Sequence, residues 1–448
     1  MAITITDQPS ANTWHSSEYP LTIKATSDLS SVKYLRFTIQ DSASTGLGIP
    51  AYFAPQINNE FTFNVSDYIN HYLTIDRDDF VSFDATPTLH NYTNLTKDIL
   101  VNIREVDNEG DLQAQTDTNA FFMAKFKHQV YNANGTAYEY VDNRYFLTSL
   151  PYFYFGGGIY PVDPIFFWFS DGRGLIQEAN DYARVSFVYE VDGGVAERNS
   201  VTFTAYASVA ALQAGTSLAT ATMGATEFSG QVDDNTIISL PVNPDDIDSI
   251  SASGWTGLTL EQVKAQYAVL TVDIGDTDNQ NFARQYFAKP KYFSKRCGKT
   301  FIYMNRFGVH EALTLGTKQN VDIISSRDNT TLVNSGDPLD AHANDLGAYL
   351  LTGARQVSIN PRSEREFKVT NTLPYPPEQN EEIMLDFFAS PVHYVVDEAD
   401  VFPTSVDISH PDTGTEKVRR IIINGGTASA IRNSRSQALT FSYRYADV

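Results

Sequence analysis

Cysteine is almost absent from the chain, which has one, Cys297, among 448 residues. A single thiol excludes an intrachain disulfide and any metal site built on paired cysteines. We therefore expect the chain in a reducing compartment, or in one where its folding does not depend on oxidation.

Long hydrophobic runs are also missing. The nearest one, residues 151–169, is interrupted by three glycines, an aspartate and several prolines, so we do not expect it to cross a bilayer as a helix. Residues 1–7 have neither the basic start nor the apolar stretch of a signal peptide, which predicts synthesis without secretory export. No membrane partner is expected.

Basic residues are scarce, with 32 Lys and Arg against 54 Asp and Glu and a formal net charge of −22. The imbalance lies in residues 1–290, which have 35 acids and 15 bases, whereas residues 291–448 have 19 acids and 17 bases. Such a field repels nucleic acid phosphates and anionic membranes, so general nucleic acid binding is not expected. The acidity also favours solubility in a crowded setting.

Motifs for nucleotide chemistry are incomplete. Gly298–Thr300 reads GKT, the end of a phosphate-binding loop, but the loop needs glycine five residues earlier, where the chain has Phe293. The aromatic and β-branched residues that follow are typical of a strand rather than of the helix that such a loop requires. The segment therefore predicts a basic turn that leads into a β-strand.

Metal and catalytic motifs fail in the same way. His310-Glu311 begins a zinc-protease motif, but the second histidine is replaced by Thr314. Asp273, Asp276 and Asp278 are spaced like calcium ligands without the glycine and glutamate of a calcium loop. They favour a surface turn after a strand, with loosely bound calcium as the alternative. We predict no metal and no cofactor.

Other catalytic signatures are missing too. The chain has neither the G-x-S-x-G turn of serine hydrolases nor a G-x-G-x-x-G loop. A pair of carboxylates for sugar cleavage carries no signal, because almost any two of the 54 acids could meet in a fold. We predict that the chain is not an enzyme.

Aromatic residues are abundant, with 28 Phe and 25 Tyr, and they recur in short runs where apolar and polar residues alternate. This pattern predicts a mainly β protein with several β-sandwich domains, immunoglobulin- or fibronectin-like, and few short helices. One helix is predicted over residues 259–267, with Thr259 as N-cap and Gln262 completing a capping box. Residues 207–230 are interpreted as a long excursion or hairpin, and residues 378–388 as a helical turn.

Three regions are predicted. Residues 1–126 form an immunoglobulin- or fibronectin-like domain, residues 127–290 a β-rich middle domain with a dense aromatic segment, and residues 291–448 a C-terminal β-domain for docking. The rhythm of strands has no fixed period, which argues against a propeller or a solenoid.

The aromatic segment flanks three glycines. Its residues either fill the core between the first two regions or present apolar surface that another subunit covers. The second interpretation predicts an interface that also includes two basic residues near the C-terminus. The predicted interface residues are Tyr152, Phe153, Tyr154, Phe155, Phe166, Phe167, Trp168, Arg419 and Arg420.

The last third of the chain resembles virion structural proteins of tailed bacteriophages, especially tail and neck proteins of phages that infect Bacteroidota, including crAss-like phages. The resemblance rests on an aromatic strand, a long polar connection, a second strand, a segment that ends in Ala-Ser-Pro and a terminal aromatic strand: residues 303–308, 365–369, 382–391 and 441–446.

This resemblance implies a structural tail or neck component, made in the host cytoplasm and located in the virion. Its partners would be other virion proteins and copies of itself in a homo-oligomer. Two alternatives stay open. One is a receptor- or glycan-binding adhesin whose Trp14, Trp168 and Trp255 stack on sugars, and the other is a virion-associated polysaccharide hydrolase.

Overall fold

A computed structural model of the chain describes residues 3–12, 14–17, 20–28, 34–57, 60–73, 89–107, 110, 112–125, 130–131, 138–139, 146–148, 153–154, 177–178, 182–190, 199–228, 232, 235–275, 281–289, 298–316, 318–332, 355–373, 377–397, 417–429 and 437–446. The protein is mainly β and contains several separate, mostly antiparallel sheets, as the aromatic and β-branched composition predicts.

The first part of the chain is a sandwich of two sheets. Its elements are β1 (Ile3–Asp7), β2 (Trp14–Ser16), β3 (Thr22–Ser27), β4 (Tyr34–Asp41), β5 (Tyr52–Pro55), β6 (Phe61–Asn64), α1 (Ser66–Tyr72), β7 (His90–Tyr92), β8 (Thr96–Val106), β9 (Leu112–Asp117) and β10 (Phe121–Ala124). One sheet has the order β1-β3-β6 and the other β2-β10-β8-β4-β5, with β9 beside β8. Phe37 and Phe63 stack between the sheets at 5.0 Å. The alternation in the sequence thus reflects one buried and one outer face for each sheet.

The middle part packs two sheets and several short helices around the largest core. Its elements are β11 (Val130–Tyr131), β12 (Tyr138–Glu139), β13 (Phe153–Tyr154), β14 (Gln177–Glu178), β15 (Arg184–Tyr189), β16 (Ser200–Tyr206), α2 (Val209–Gln213), β17 (Ala219–Met223), α3 (Ala225–Phe228), β18 (Thr236–Pro241), α4 (Pro244–Ile250), α5 (Leu260–Gln266), β19 (Val269–Gly275) and β20 (Asn281–Ala288). One sheet of this core has the order β13-β20-β19-β16-β17, with β14 beside β20, and the second has the order β15-β18-β7, whereas β11 and β12 form a separate two-stranded sheet. Strand β7 of the second sheet therefore comes from an earlier part of the chain.

The helix predicted over residues 259–267 is confirmed. The side chain of Thr259 accepts a hydrogen bond from the backbone N–H of Gln262, and the Gln262 side chain accepts one from the backbone of Thr259. The interpretation of residues 207–230 as an excursion or hairpin lacked their helices. These residues contain β17, which pairs with β16 as a hairpin would, but also the helices α2 and α3.

The third part is a seven-stranded sheet with a helix on one face. Its elements are β21 (Gly298–Met304), β22 (His310–Gly316), β23 (Lys318–Leu332), β24 (Arg355–Leu373), α6 (Pro377–Ala389), β25 (His393–Asp397), β26 (Lys417–Ser429) and β27 (Gln437–Tyr445). The strand order is β22-β21-β25-β26-β27-β24-β23. Phe387 of α6 packs on the sheet, with its ring 5.1 Å from Phe441 and 6.1 Å from Phe301.

Two predictions for this part are confirmed and two need correction. The GKT sequence does lead into a strand, β21, and the terminal aromatic run is the paired strand β27. The predicted helical turn is a helix of 13 residues, α6. The prediction of a long polar connection between residues 308 and 365 is wrong, because this segment contains β22, β23 and the first half of β24.

One hydrophobic cluster connects the three parts of the chain, and we call it the junction. It is formed by Tyr92, Leu95, Ala124, Leu147, Val188, Ile237, Phe307 and Val309, with Trp14 packed against it. These residues come from the first sandwich, the middle part and the turn between β21 and β22. The division of the chain at residues 126 and 290 stays a prediction.

Candidate functional site

The turn between β21 and β22 inserts into the junction. The backbone N–H of Asn305 bonds to the carbonyl of Val309 at 2.9 Å, and Gly308 has a φ of +82°. A left-handed residue at this point closes a tight turn without the steric cost that a side chain would bring. Phe307 and Val309 are thereby buried among residues of the other two parts.

Residues 146–148 form a strap between the middle part and the third part. Phe146 is buried in the middle core, and the N–H of Leu147 donates to the carbonyl of Ser186 in β15 at 2.8 Å. The carbonyl of Leu147 accepts from the Asn305 side chain at 2.8 Å. Three consecutive residues therefore contact two different sheets.

Glu311 of β22 lies where the strap meets the seven-stranded sheet. It is 5% exposed. The Thr148 hydroxyl donates to its Oε1, and the Tyr303 hydroxyl donates to its Oε2 at 3.0 Å. Tyr303 is also its direct neighbour across the β21–β22 ladder. Both carboxyl oxygens thus accept hydrogen bonds from within the protein.

Burial raises the pKa of Glu311 to about 7. The hydroxyls of Thr148 and Tyr303 oppose this rise, because they stabilise the charged form, whereas the negative charge of Asp386 increases it. Below neutral pH the side chain is a neutral acid. A neutral acid lies in a low-dielectric junction at a much smaller cost than a carboxylate.

His310 connects the same strand to the sheet of the middle part. Its backbone N–H donates to the Tyr92 hydroxyl at 3.2 Å, and its ring Nδ1 lies 3.1 Å from the same oxygen. Tyr92 belongs to β7, which pairs with β18 through Tyr92 and Ile237. One tyrosine hydroxyl therefore bridges two sheets.

A buried ion pair fixes the helix α6 to the turn. Arg306 Nε lies 2.5 Å from Asp386 Oδ1, and the Asp386 side chain is 4% exposed. Charge-assisted hydrogen bonds of this kind are short and directional. The pair therefore sets the position of α6 relative to β21 and β22.

The three buried ionisable residues of this region connect different elements of the fold. Glu311, His310 and Asp386 are at most 5% exposed, and each has a partner from a different element. A pair of carboxylates that cleaves a sugar must instead reach the substrate. The sequence signal for this group of buried residues is the His310-Glu311 dipeptide, which by itself suggests only an incomplete zinc motif.

The aspartates considered as calcium ligands are only partly described. Asp273 does not lie in a surface turn, which corrects the prediction: it is a buried residue of β19 and pairs with Arg284 Nε at 2.5 Å. Burial raises the pKa of Asp273, and the guanidinium of Arg284 opposes the rise. Asp276 and Asp278 lie outside the described residues. Among the residues that the structure describes, no three His, Cys, Asp or Glu side chains form a group that could hold a metal ion.

The predicted aromatic interface lies mostly outside the described residues. Phe153 and Tyr154 form β13, which pairs with β20 at one edge of the middle sheet. The other predicted aromatic residues lie outside the described ranges: Tyr152, Phe155, Phe166, Phe167 and Trp168. An interface role for this segment stays a prediction.

The two predicted basic residues lie next to each other in β26 on opposite faces of the sheet. Arg419 is partly buried, and its guanidinium lies 5.2 Å from the centre of the Tyr445 ring. Arg420 is exposed, as is Ile422 two residues later. Arg420 and Ile422 therefore share an open face, whereas Arg419 has a cation–π contact.

Two of the three tryptophans proposed for sugar stacking have other roles. Trp255 is 8% exposed, and its Nε1 donates to the carbonyl of Pro244 at 3.0 Å. Trp14 is partly buried and stacks on Phe122 at 4.9 Å. Trp255 is thus buried, Trp14 stacks on Phe122, and Trp168 lies outside the described ranges. The adhesin alternative gains no support from these residues.

No family model matches the chain, and a search of curated proteins finds no match. In the described part of the chain, no helix is long and apolar enough to cross a membrane.

Proposed function

We propose that this chain is a structural component of a tailed phage particle, a tail or neck protein that assembles through contacts with copies of itself and with other virion proteins. The resemblance of its last third to such proteins supports the proposal. A strand pair at the edge of the seven-stranded sheet supports it physically.

This strand pair extends beyond the sheet, and we call residues 322–332 and 355–366 the ribbon. Strand β23 pairs with β24 from Lys318 to Leu332. The next strand, β27, pairs with β24 only from Phe367 to Leu373. Within the described strands, the ribbon half of β24 therefore has β23 as its only partner, and β23 is the last strand of the sheet.

A free ribbon of this length is a poor structure in water. Twelve residues of β-strand extend for about 40 Å, and a two-stranded hairpin alone is only marginally stable. Among the described strands none pairs with its outer edges, and such edges present rows of backbone N–H and C=O groups that favour pairing with another chain. A neighbouring subunit that covers these edges would stabilise the ribbon, and this is the main physical support for an assembly role.

The charge of the ribbon fits such a contact. Its sequence contains four basic and four acidic residues, so it adds nothing to the net charge of −22. A neutral ribbon can approach another copy of an acidic chain without strong repulsion. The charged residues are Asp322, Arg327, Asp328, Arg355, Arg362, Glu364, Arg365 and Glu366.

A shortened chain tests the proposal. Ile323 and Arg365 are directly opposed, so replacing residues 324–364 by Asn-Gly joins them through a two-residue hairpin turn. We expect the shortened chain to fold and to melt near the temperature of the full chain, but to be lost from particles of a tailed phage that encodes it. Incorporation of the shortened chain at the level of the full chain would contradict the proposal.

A further inference from the structure

We infer that the outer face of the six-stranded sheet in the first sandwich binds a carboxylate-bearing surface of a second copy of this chain. This surface is distinct from the ribbon. The inference goes beyond the proposed function, because it adds a second contact between copies and gives the chemistry of that contact.

Two rows of directly opposed residues form this surface. One row consists of Leu112, Val106, Tyr34 and Pro55, and the next of Gln115, Arg104, Arg36 and Phe53. Directly opposed residues of antiparallel strands project from the same face of a sheet. Leu35 and Phe37 alternate with them and point into the sandwich core, so both rows lie on the outer face.

The surface exposes large apolar side chains around its basic centre. Phe53 is 51% exposed, Tyr34 44% and Leu112 43%. Ile57, just after β5, is 65% exposed. Clustered exposure of this kind, rimmed by polar residues, is typical of binding surfaces.

The two arginines at the centre place two positive charges side by side, and Arg104 is linked through Asn102 to the carboxylate of Asp117. Arg36 and Arg104 are directly opposed on neighbouring strands, where like charges repel each other. Arg104 Nε donates to Asn102 Oδ1 at 3.1 Å. Arg36 Nε, by contrast, is shielded from solvent and has no hydrogen-bond partner, and no ion pair to Arg36 is found in the described part of the chain. Because Arg36 Nε is shielded from solvent, the Nη groups of the two guanidiniums would bind a carboxylate of the second copy.

The charge of the whole chain selects the occupant. A protein carboxylate with an apolar surround matches both features of the surface, whereas the phosphates of nucleic acids supply the charge alone. Another copy of the chain supplies carboxylates in excess, 54 against 32 bases. Contact between two identical basic surfaces would oppose four arginines, so the surface must meet a different, acidic surface of the next copy. Repetition of such a contact closes a ring or extends a filament.

Charge reversal in the full chain tests the inference. We expect the wild type to self-associate in sedimentation velocity runs and the double variant R36E/R104E to associate at least about tenfold more weakly. Phe53→Ser should also weaken association, without a change in charge. The matched control, K24E/K368E, makes the same change in charge at one partly exposed lysine and one exposed lysine, and should associate like the wild type.

Two results would overturn the inference. One is a wild type that stays monomeric up to about 100 μM, which is far above the dissociation constant of a typical specific protein contact. The other is a variant R36E/R104E that associates as well as the wild type. A monomeric wild type that binds a poly-glutamate peptide through Arg36 would assign the surface to a different acidic protein. Because these runs use purified chain, their outcome is independent of whether the chain enters a phage particle.

Discussion

The pKa of Glu311 depends on the packing around its side chain. Its pKa of about 7 arises first from burial, and its two oxygens accept from Thr148 and Tyr303. The ordinary pKa of a glutamate side chain, 4.5, serves as the reference for the unfolded chain. Because the folded value is the higher one, the stabilisation from the neutral acid is fully present below about pH 4.5 and is lost as the pH rises to about 7.

The substitution Glu311→Gln should remove this pH dependence. Glutamine keeps the shape and stays neutral, whereas ionisation of the wild type costs about 3 kcal/mol between these two pH values. We expect the apparent melting temperature of the variant, relative to the wild type, to be higher at about pH 8 than at about pH 5. Thermal unfolding of both proteins in matched buffers measures this difference.

Glu311→Asp is the control for shape, since it keeps the ionisable group but shortens the reach to Thr148. It should lower stability at both pH values. If the melting temperatures of Glu311→Gln and the wild type differ by the same amount at about pH 5 and about pH 8, Glu311 is already ionised in the folded protein at the lower pH.

The chemistry of these residues was visible in the sequence, but their partners were not. Thr148 and Glu311 are 163 positions apart, and Tyr92 and His310 are 218 apart. Local spacing rules cover only neighbours within a strand or helix. The Asp273–Arg284 pair is hard to predict for a different reason, since the spacing of Asp273 from Asp276 and Asp278 favours a polar turn although Asp273 lies within the strand.

Individual helices and strands were predictable where the local signal was complete. Helix α5 has a capping box and an apolar residue, Val263, at the spacing of a buried face. Strand β21 has aromatic and β-branched residues from Thr300 to Tyr303. Strand β23 was missed because its sequence is largely polar, so apolar alternation gives no signal when pairing depends mainly on the backbone.

The cap of α5 gives a prediction at this scale. Thr259→Ala removes the oxygen that accepts from the Gln262 N–H, and N-cap losses of this kind cost about 1 kcal/mol. We expect a lower melting temperature for Thr259→Ala and little change for Thr259→Ser, which retains the oxygen. Equal melting temperatures for the alanine variant and the wild type would show that the cap adds no stability.

At the scale of the whole molecule, the three parts meet at one turn. Asn305 holds this turn through three bonds: its Nδ2 donates to Leu147, and its Oδ1 accepts from the N–H groups of Phe307 and Val309. Binary patterning predicted the sheets, since each sheet has its own buried face. It could not predict the junction, because the cluster is assembled from single residues of distant segments.

The variant Asn305→Ala tests how strongly the turn connects the parts. It leaves the buried carbonyl of Leu147 and two amides without their partner, each at a cost of about 1–3 kcal/mol. We expect faster hydrogen exchange at residues 146–148 and 305–310, while the exchange of the Phe37 amide in the first core is unchanged. Asn305→Asp keeps the acceptor and loses the donor, so it should affect the strap more than the turn. Uniformly faster exchange across all three parts would mean that they unfold as a single unit.

The proposal that this chain is built into a phage particle is tested most directly by quantitative mass spectrometry of purified particles, from a tailed phage that encodes it, after washing in high salt. We expect the chain to remain at a fixed number of several copies per particle, in constant ratio to the other tail proteins. A chain that is found in the lysate but is absent from washed particles would contradict the proposal.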